Sequence, residues 1–138
     1  MTARLSPSQA KHIKGTGKTA AFVPLTEKQI HEATIDAWRQ HGVPGTVVAT
    51  IPNMRAWGQA GLTKGLPDLL VISEGKARFI ELKRLGGTVS PEQAMFKHMC
   101  EAQGIACEIT YGRDEPIRLL KAWGALRGRV ECVGKGGL

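Results

Sequence analysis

The sequence predicts an α/β protein in which helices flank a mixed β-sheet and a β-hairpin lies at the centre of that sheet. Two branched apolar runs, residues 66–72 and 77–82, are separated by a short polar turn, which is typical of a hairpin. Stretches with apolar residues at helical spacing precede and follow this hairpin. The predicted order is helix, strand, strand, strand, helix, strand, helix, without internal repeats, so a single domain is expected.

Two elements are predicted before the hairpin. Residues 26–40 have apolar side chains at helical spacing, Thr26 suits the N-cap position, and Gly42 is a fitting stop. Residues 46–51 are rich in β-branched side chains and predict a buried strand. The apolar stripe of the helix consists of Ile30, Ala33, Ala37 and Trp38.

The hairpin is predicted to bring acidic and basic side chains together. With a two-residue loop at 74–75, Asp68 lies directly opposite Glu81 on the neighbouring strand. Lys83 points to the same face as Glu81, because strand side chains repeat every second residue. A longer or bulged turn would shift the pairing by one residue.

Two facing carboxylates repel each other at the roughly 4.5–5.5 Å that separates paired Cβ atoms, unless a cation lies between them. Hard divalent ions such as Mg²⁺ take oxygen ligands and are often held by one or two carboxylates together with substrate phosphates. A lysine beside them suits the orientation or deprotonation of a water, or the neutralisation of phosphate charge. Asp68, Glu81 and Lys83 therefore predict half of a phosphodiester-cutting site. The alternative is a solvated hairpin with ordinary surface charges.

A second helix is predicted directly after the hairpin. Ser90 as N-cap, Pro91 as the first helical residue and Gln93 as the third form a capping box. The helix continues to about residue 103 and stops at Gly104. The cap alone accounts for Gln93, and a further role at the site is equally open. The core stripe of this helix is predicted to be Met95, Phe96 and Met99.

The last two elements are a strand over residues 105–110 and a closing helix. Asp114 is predicted to cap this helix, which continues to about residue 126. Its inward residues are Ile117, Leu120 and Trp123.

Parts of this sequence resemble a known family. Pro67-Asp68 followed by Glu81-Leu82-Lys83 is similar to the signature of the PD-(D/E)XK nuclease superfamily. The resemblance extends over residues 26–123 and implies a restriction-endonuclease-like fold, in which helices cover a mixed sheet and the central hairpin carries the site. The chain resembles the VRR-NUC branch of this superfamily in three blocks, at residues 65–68, 79–83 and 86–93.

The resemblance implies metal-assisted hydrolysis. Asp68, Glu81 and the backbone carbonyl of Leu82 would hold Mg²⁺ or Mn²⁺. Lys83 would position the attacking water or screen the phosphorus.

Two further catalytic candidates also come from the resemblance. VRR-NUC proteins carry an acidic residue on the first helix, and the sequence around Glu32 and Trp38 resembles that segment best. Glu32 is therefore the preferred candidate, to assist with the metal directly or through a water, and Glu27 is the competing one. Relatives also have a glutamine near the site at the position of Gln93.

Four residues near the site are predicted to bind nucleic acid. Asn53, Arg55 and Lys64 lie in the loop that leads to the first acid, and Arg84 directly follows the lysine of the site. The two arginines and the lysine suit contacts with phosphates.

The net charge of +7 is concentrated at the two ends of the chain. Residues 1–24 carry four basic residues and no acid, residues 121–138 carry four basic residues and one acid, and residues 25–120 carry eleven of each. We predict a flexible basic arm, a nuclease domain over 25–126, and a basic glycine-rich tail over 127–138. Basic arms suit attraction to a polyanion, and solubilising tails are the alternative.

Composition narrows the expected compartment. No apolar run approaches the roughly 20 residues needed to span a bilayer, and no hydrophobic segment near the start resembles a secretory signal. The three cysteines lack metal-ligand spacing and fit a reducing compartment. A cytoplasmic protein without membrane contact is therefore expected.

The predicted function is that of a metal-dependent DNA endonuclease. The resemblance to small stand-alone VRR-NUC proteins of bacteria and phages implies a homodimer that cuts branched DNA such as four-way junctions. One site cuts one strand, so symmetric cleavage needs two sites related by a two-fold axis. Two alternatives stay open, a non-catalytic DNA-binding module and a nuclease subunit or RNase that needs another partner or substrate.

Overall fold

The computed structural model describes residues 23–52 and 64–128 of the 138-residue chain. These residues form three helices and four strands. In chain order they are α1 (Glu27–His41), β1 (Val47–Thr50), β2 (Leu69–Ser73), β3 (Lys76–Lys83), α2 (Pro91–Ala102), β4 (Cys107–Tyr111) and α3 (Asp114–Ala122).

The four strands form one mixed sheet in the order β1-β2-β3-β4. The pairs β1/β2 and β2/β3 are antiparallel, and β3/β4 is parallel. The α2 helix provides the crossover that a parallel connection requires. The β2/β3 hairpin occupies the middle of the sheet, so the predicted α/β architecture of a mixed sheet flanked by helices is confirmed.

A two-residue turn closes the hairpin and fixes its register. Glu74 and Gly75 have φ angles of 54° and 74°, as in the type I′ turns that match the twist of paired strands. Ser73 pairs with Lys76, and the pairs continue regularly as far as Leu69 with Ile80. The predicted loop and its register are therefore confirmed.

The main core lies on one face of the sheet, beneath α1 and α3. Side chains from alternate positions of β1, β2 and β3 point to this face and pack against both helices. The buried members are Ile30, Val48, Leu69, Val71, Ile80, Leu82, Leu120, Ala125 and Leu126.

A single helix, α2, packs on the opposite face of the described sheet. Phe96 meets Phe79 of β3 edge to face, with ring centroids 5.6 Å apart, and Cys100 is buried beside Cys107 of β4. The prediction that Met95 and Met99 belong to the core is wrong, because these side chains are 57% and 58% exposed. The helix packs against the sheet through Phe96 and Cys100, each of which follows a methionine by one position.

The predicted caps hold for two helices and fail for the third. Capping boxes at Thr26 and Ser90 open α1 and α2. At α3 the N-cap is Arg113 and no side chain caps it, because Asp114 already lies in the first turn and pairs with Arg113. The helix also ends earlier than predicted, because Gly124 has a φ of 77° and turns the chain.

Within residues 23–52 and 64–128, no helix combines the length and the apolar character needed to cross a bilayer.

Gly65 allows the chain to approach the first turn of α2 closely. Its φ is 86°, and a Cβ atom built there would lie 2.5 Å from the carbonyl oxygen of Glu92. Gly75 has a similar φ of 74°, but a Cβ atom there would meet open space. Gly65 therefore carries a packing constraint that Gly75 does not.

We expect Gly75→Ala to lower the free energy of unfolding by about 1–2 kcal/mol, because alanine is strained in the left-handed region. Gly65→Ala should cost more, because the steric conflict with Glu92 adds to the same strain. Urea denaturation of both variants measures the difference. Equal losses would show that the approach of Gly65 to α2 places no constraint on the fold.

Candidate active site

Asp68 lies where the regular ladder between β2 and β3 ends. Its N–H donates to the carbonyl of Ile80 at 3.1 Å, and its own carbonyl accepts from the N–H of Ile51 at 2.8 Å. Its carboxylate Oδ2 accepts the N–H of Leu82 at 2.7 Å. The side chain thus takes the place of a strand partner and is fixed beside the end of β3.

Glu81 is buried on the face of β3 that α2 covers, with only 4% of its surface exposed. Its Oε2 accepts a hydrogen bond from Nε2 of Gln93 at 2.7 Å and lies 3.5 Å from Nζ of Lys83. Its Oε1 is buried and has no hydrogen-bond partner among the described residues. A buried carboxylate oxygen without a donor is costly, and a cation would satisfy it.

Gln93 performs both of the roles that its sequence position suggested. Its side-chain Oε1 accepts the N–H of Ser90 at 2.9 Å, and its own N–H donates to Oγ of Ser90 at 3.1 Å. The other end of the same amide donates to Glu81. The side chain therefore caps α2 and orients Glu81 at the same time.

Lys83 is the cation that the structure places at the carboxylates. Its side chain is 8% exposed and follows Glu81 on the same face of β3. Its ammonium group is therefore held close to Glu81 with little freedom to move into solvent.

Burial perturbs the pKa values of both carboxyl groups, and the charge of Asp68 adds to the shift of Glu81. Burial, with the added charge of Asp68, raises the pKa of Glu81 to about 8, although Lys83 opposes the shift. Burial also raises the pKa of Asp68, against the hydrogen bond from Leu82 and the nearby charges of His31 and Lys83. The pair therefore favours retention of a proton near neutral pH in the absence of a cation.

Of the two candidate acids on α1, Glu27 is the one whose charge acts on these carboxylates, although it is exposed. The charge of Glu27 acts on both Asp68 and Glu81 and raises both pKa values. Glu32 pairs with Lys28 at 2.7 Å on the exposed side of α1, and its side chain is 59% exposed. The difference is one of helix phase, because residues 27 and 32 lie about 140° apart around a helix.

His31 is a further neighbour of the site. It lies one helical turn after Glu27, and its Nε2 is 2.8 Å from Oγ1 of Thr50 at the end of β1. Its charge acts on Asp68. The four-residue spacing between Glu27 and His31 was the available signal, since such residues share a helix face.

The donor set fits a divalent cation that also binds substrate. Within the described parts of the chain, no three His, Cys, Asp or Glu side chains cluster closely enough to hold an ion by themselves. Asp68 and Glu81 supply too few ligands to complete the coordination of such an ion, so phosphate and water oxygens would complete it. Mg²⁺ and Mn²⁺ are typically bound in this way.

The predicted nucleic-acid contacts are only partly described. Lys64 is exposed in the turn before Gly65, and Arg84 is exposed directly after β3. Asn53 and Arg55 lie outside the described residues, as do most of the predicted arms.

The mixed α/β sheet brings the half-buried Asp68, the buried Glu81 and the buried Lys83 together, in agreement with the nuclease-type domain that the sequence predicts. The sequence model of the VRR-NUC domain matches residues 25–114, which is well over half of the chain. The chain therefore belongs to the VRR-NUC family.

Two solved structures are similar to this chain. One is described as a VRR_NUC domain protein, is 20% identical, and superposes with a TM-score of 0.63 over 73% of this chain and 89% of its own. Another, described as a VRR_NUC domain, is 18% identical, with a TM-score of 0.51 over 72% of this chain and 99% of its own. These similarities support the fold alone. A search of curated proteins gives no match.

The raised pKa of Glu81 predicts pH-dependent metal binding. An ion must displace the proton from Glu81, so the affinity for Mn²⁺ should increase as the pH rises toward about 8, by at most about tenfold per pH unit for one proton. Above about pH 8 the affinity should level off. Titration calorimetry in buffers of different ionisation enthalpy measures both the affinity and the proton released.

Glu81→Gln should abolish this binding, whereas Glu101→Gln, an exposed acid on α2, should leave it unchanged. An affinity for Mn²⁺ that is constant between about pH 6 and about pH 8 would contradict the prediction.

Proposed function

We propose that this protein is a metal-dependent endonuclease that hydrolyses phosphodiester bonds in DNA and acts on branched DNA as a homodimer. The observation that supports it best is the pair formed by the half-buried Asp68 and the buried Glu81, with Lys83 beside it and one oxygen of Glu81 unpaired. Burying two like charges is unfavourable for stability. Binding of a cation and a phosphate would offset this unfavourable burial and so account for the arrangement.

In this proposal Asp68 and Glu81 hold Mg²⁺ or Mn²⁺. The backbone carbonyl of Leu82 is suited to join them, because the N–H and C=O of one strand residue point to the same edge, and the N–H of Leu82 points to Asp68. A bound divalent ion lowers the pKa of a coordinated water and stabilises charge on the phosphate.

The remaining residues act on charge and position. Lys83 offsets the negative charge that develops on the phosphate and orients the attacking water. Gln93 holds Glu81 by one oxygen, which leaves the other available as a ligand for a cation. Glu27 is the acid of α1 that contributes at the site, directly or through a water, because its charge reaches both carboxylates.

DNA is proposed as the substrate on two grounds. The family is one of nuclease-type domains, and the excess positive charge of the chain is well suited to a polyanion. Lys64 and Arg84 are exposed, and they precede and follow the stretch of chain that carries Asp68, Glu81 and Lys83. We propose that both contact phosphates. Two sites paired in one dimer would allow paired nicks on opposite strands, as symmetric cleavage of branched DNA requires.

We expect wild-type protein with Mg²⁺ or Mn²⁺ to introduce paired symmetric nicks into a labelled four-way junction and to leave a matched linear duplex largely intact. Asp68→Ala should reduce cleavage by at least about a hundredfold, because a ligand of the cation is lost, while DNA binding is retained. Product sizes on denaturing gels and binding by fluorescence anisotropy are the two measurements.

Glu27→Gln should also reduce cleavage, whereas Glu32→Gln provides the matched control on the same helix and should leave it unchanged. Equal cleavage of junction and duplex would support the nuclease activity and contradict the selectivity for branched DNA. Tight DNA binding with no cleavage by wild-type protein would indicate a binding module or a missing partner.

The double role of Gln93 predicts a separation between stability and activity. Gln93→Ala and Gln29→Ala each remove the side chain of a capping box, so each should lower the free energy of unfolding by about 0.5–1 kcal/mol. Only Gln93→Ala should also reduce cleavage, about tenfold or more, because Glu81 loses its hydrogen bond. Similar cleavage by the two variants would limit Gln93 to a capping role.

A further inference from the structure

Two hydrogen bonds of the same kind join α1 to β1, one at each end of the strand. Nε2 of His31 lies 2.8 Å from Oγ1 of Thr50, and Nε1 of Trp38 donates to Oγ1 of Thr46 at 3.0 Å. In each bond a ring nitrogen of the helix meets a threonine hydroxyl. We name these bonds the His31 anchor and the Trp38 anchor.

The spacing of the two anchors fits both elements. His31 and Trp38 are seven positions apart, which places them about 20° apart around the helix and about 10 Å apart along it. Thr46 and Thr50 are four positions apart, so they share one face of the chain and lie about 13 Å apart. Val48, between them on that face, is buried in the core. Two anchors on one side of α1 oppose its rotation relative to β1.

The His31 anchor lies at the end of the sheet that carries the site, and the Trp38 anchor lies at the opposite end of β1. Thr50 pairs with Leu69, the residue after Asp68. The N–H of Ile51, the residue after Thr50, donates to the carbonyl of Asp68 at 2.8 Å. The charge of His31 also acts on Asp68, in agreement with this placement.

Glu27 lies one helical turn before His31, and the two residues are about 40° apart around the helix. Glu27 is exposed, and no hydrogen bond or ion pair with another described residue holds its carboxylate. The direction in which this side chain leaves α1 therefore depends on how the helix itself is held. The His31 anchor is the side-chain hydrogen bond that holds this end of α1 to the sheet.

We propose that His31 is a positioning residue for Glu27 and that it acts through its hydrogen bond to Thr50. The inference rests on the proposed function, in which Glu27 assists a divalent ion held by Asp68 and Glu81. Without the His31 anchor, the first turns of α1 are less restrained, so the interaction of Glu27 with the ion is weakened. This role requires no contact of His31 with the DNA or the ion.

The first test compares matched valine changes at the two anchors, with Mn²⁺ affinity measured by titration calorimetry in the absence of DNA. Thr50→Val and Thr46→Val each remove a hydroxyl and keep a β-branched side chain. Thr50→Val should weaken Mn²⁺ binding by about two- to tenfold, the range that one ordinary hydrogen bond allows. Thr46→Val should leave Mn²⁺ binding unchanged.

Urea denaturation of the same two variants separates positioning from stability. Thr46→Val should lower the denaturation midpoint at least as much as Thr50→Val, because Thr46 also donates to the carbonyl of Val43 at 2.6 Å. The variant that is less stable, or equally stable, is therefore the one expected to retain full Mn²⁺ affinity.

A double-mutant cycle tests whether the His31 anchor acts through Glu27. In a Glu27→Gln background, Thr50→Val should weaken Mn²⁺ binding no further, whereas a general structural effect would persist in that background. His31→Gln keeps a side-chain donor and acceptor and His31→Phe keeps neither. Both changes remove the charge of the ring, so tighter Mn²⁺ binding by His31→Gln would isolate the hydrogen bond.

Equal Mn²⁺ affinities of Thr50→Val and Thr46→Val would overturn the inference, and so would an effect of Thr50→Val that persists without Glu27. If Glu27→Gln alone binds Mn²⁺ as wild type does, the role of Glu27 in the proposed function fails together with the inference. Wild-type protein that binds Mn²⁺ and cleaves no DNA would contradict the nuclease activity, while the comparison of the anchors would still decide the role of His31. The two failures are therefore distinguishable.

Discussion

The register of the central hairpin is the constraint on which the rest of this structure depends. A two-residue turn at Glu74 and Gly75 sets which residues pair, and a slip of one position would move every side chain of a strand to the opposite face of the sheet. Such a slip would exchange Glu81 and Lys83 for core residues such as Leu82. The turn thus decides both the core and the site, although it lies at the far end of the hairpin from the carboxylates.

The site itself is held by backbone groups more than by side chains. Asp68 is fixed by the N–H of Leu82, and Gln93 is fixed by the N–H of Ser90 before it reaches Glu81. Groups that are anchored in this way lose little further freedom when they meet a ligand. The burial of Glu81 is unfavourable, and the packing of the sheet against α2 offsets its cost. The contact of Phe96 with Phe79 is one part of this packing.

Local rules predicted most of the fold and part of the site. The hairpin register, the N-caps at Thr26 and Ser90 and the shared strand face of Glu81 and Lys83 each depend on a short stretch of sequence, so local rules were sufficient to predict them. The choice between Glu27 and Glu32 depends on the rotation of α1 about its axis, and the apolar stripe of the sequence did not fix that angle finely enough. Met95 was assigned to the core for a related reason, because an apolar stripe does not reveal whether it faces its own sheet or a surface.

The amide of Gln93 limits which amino acids this position can accept. One end must accept a hydrogen bond at a helix start while the other donates to a carboxylate 2.7 Å away. Glutamate would keep the first function and set a third negative charge against Glu81, and asparagine would be one methylene too short to do both. A lysine or arginine would donate but not accept. A substitution at this position therefore affects both the start of α2 and the orientation of Glu81.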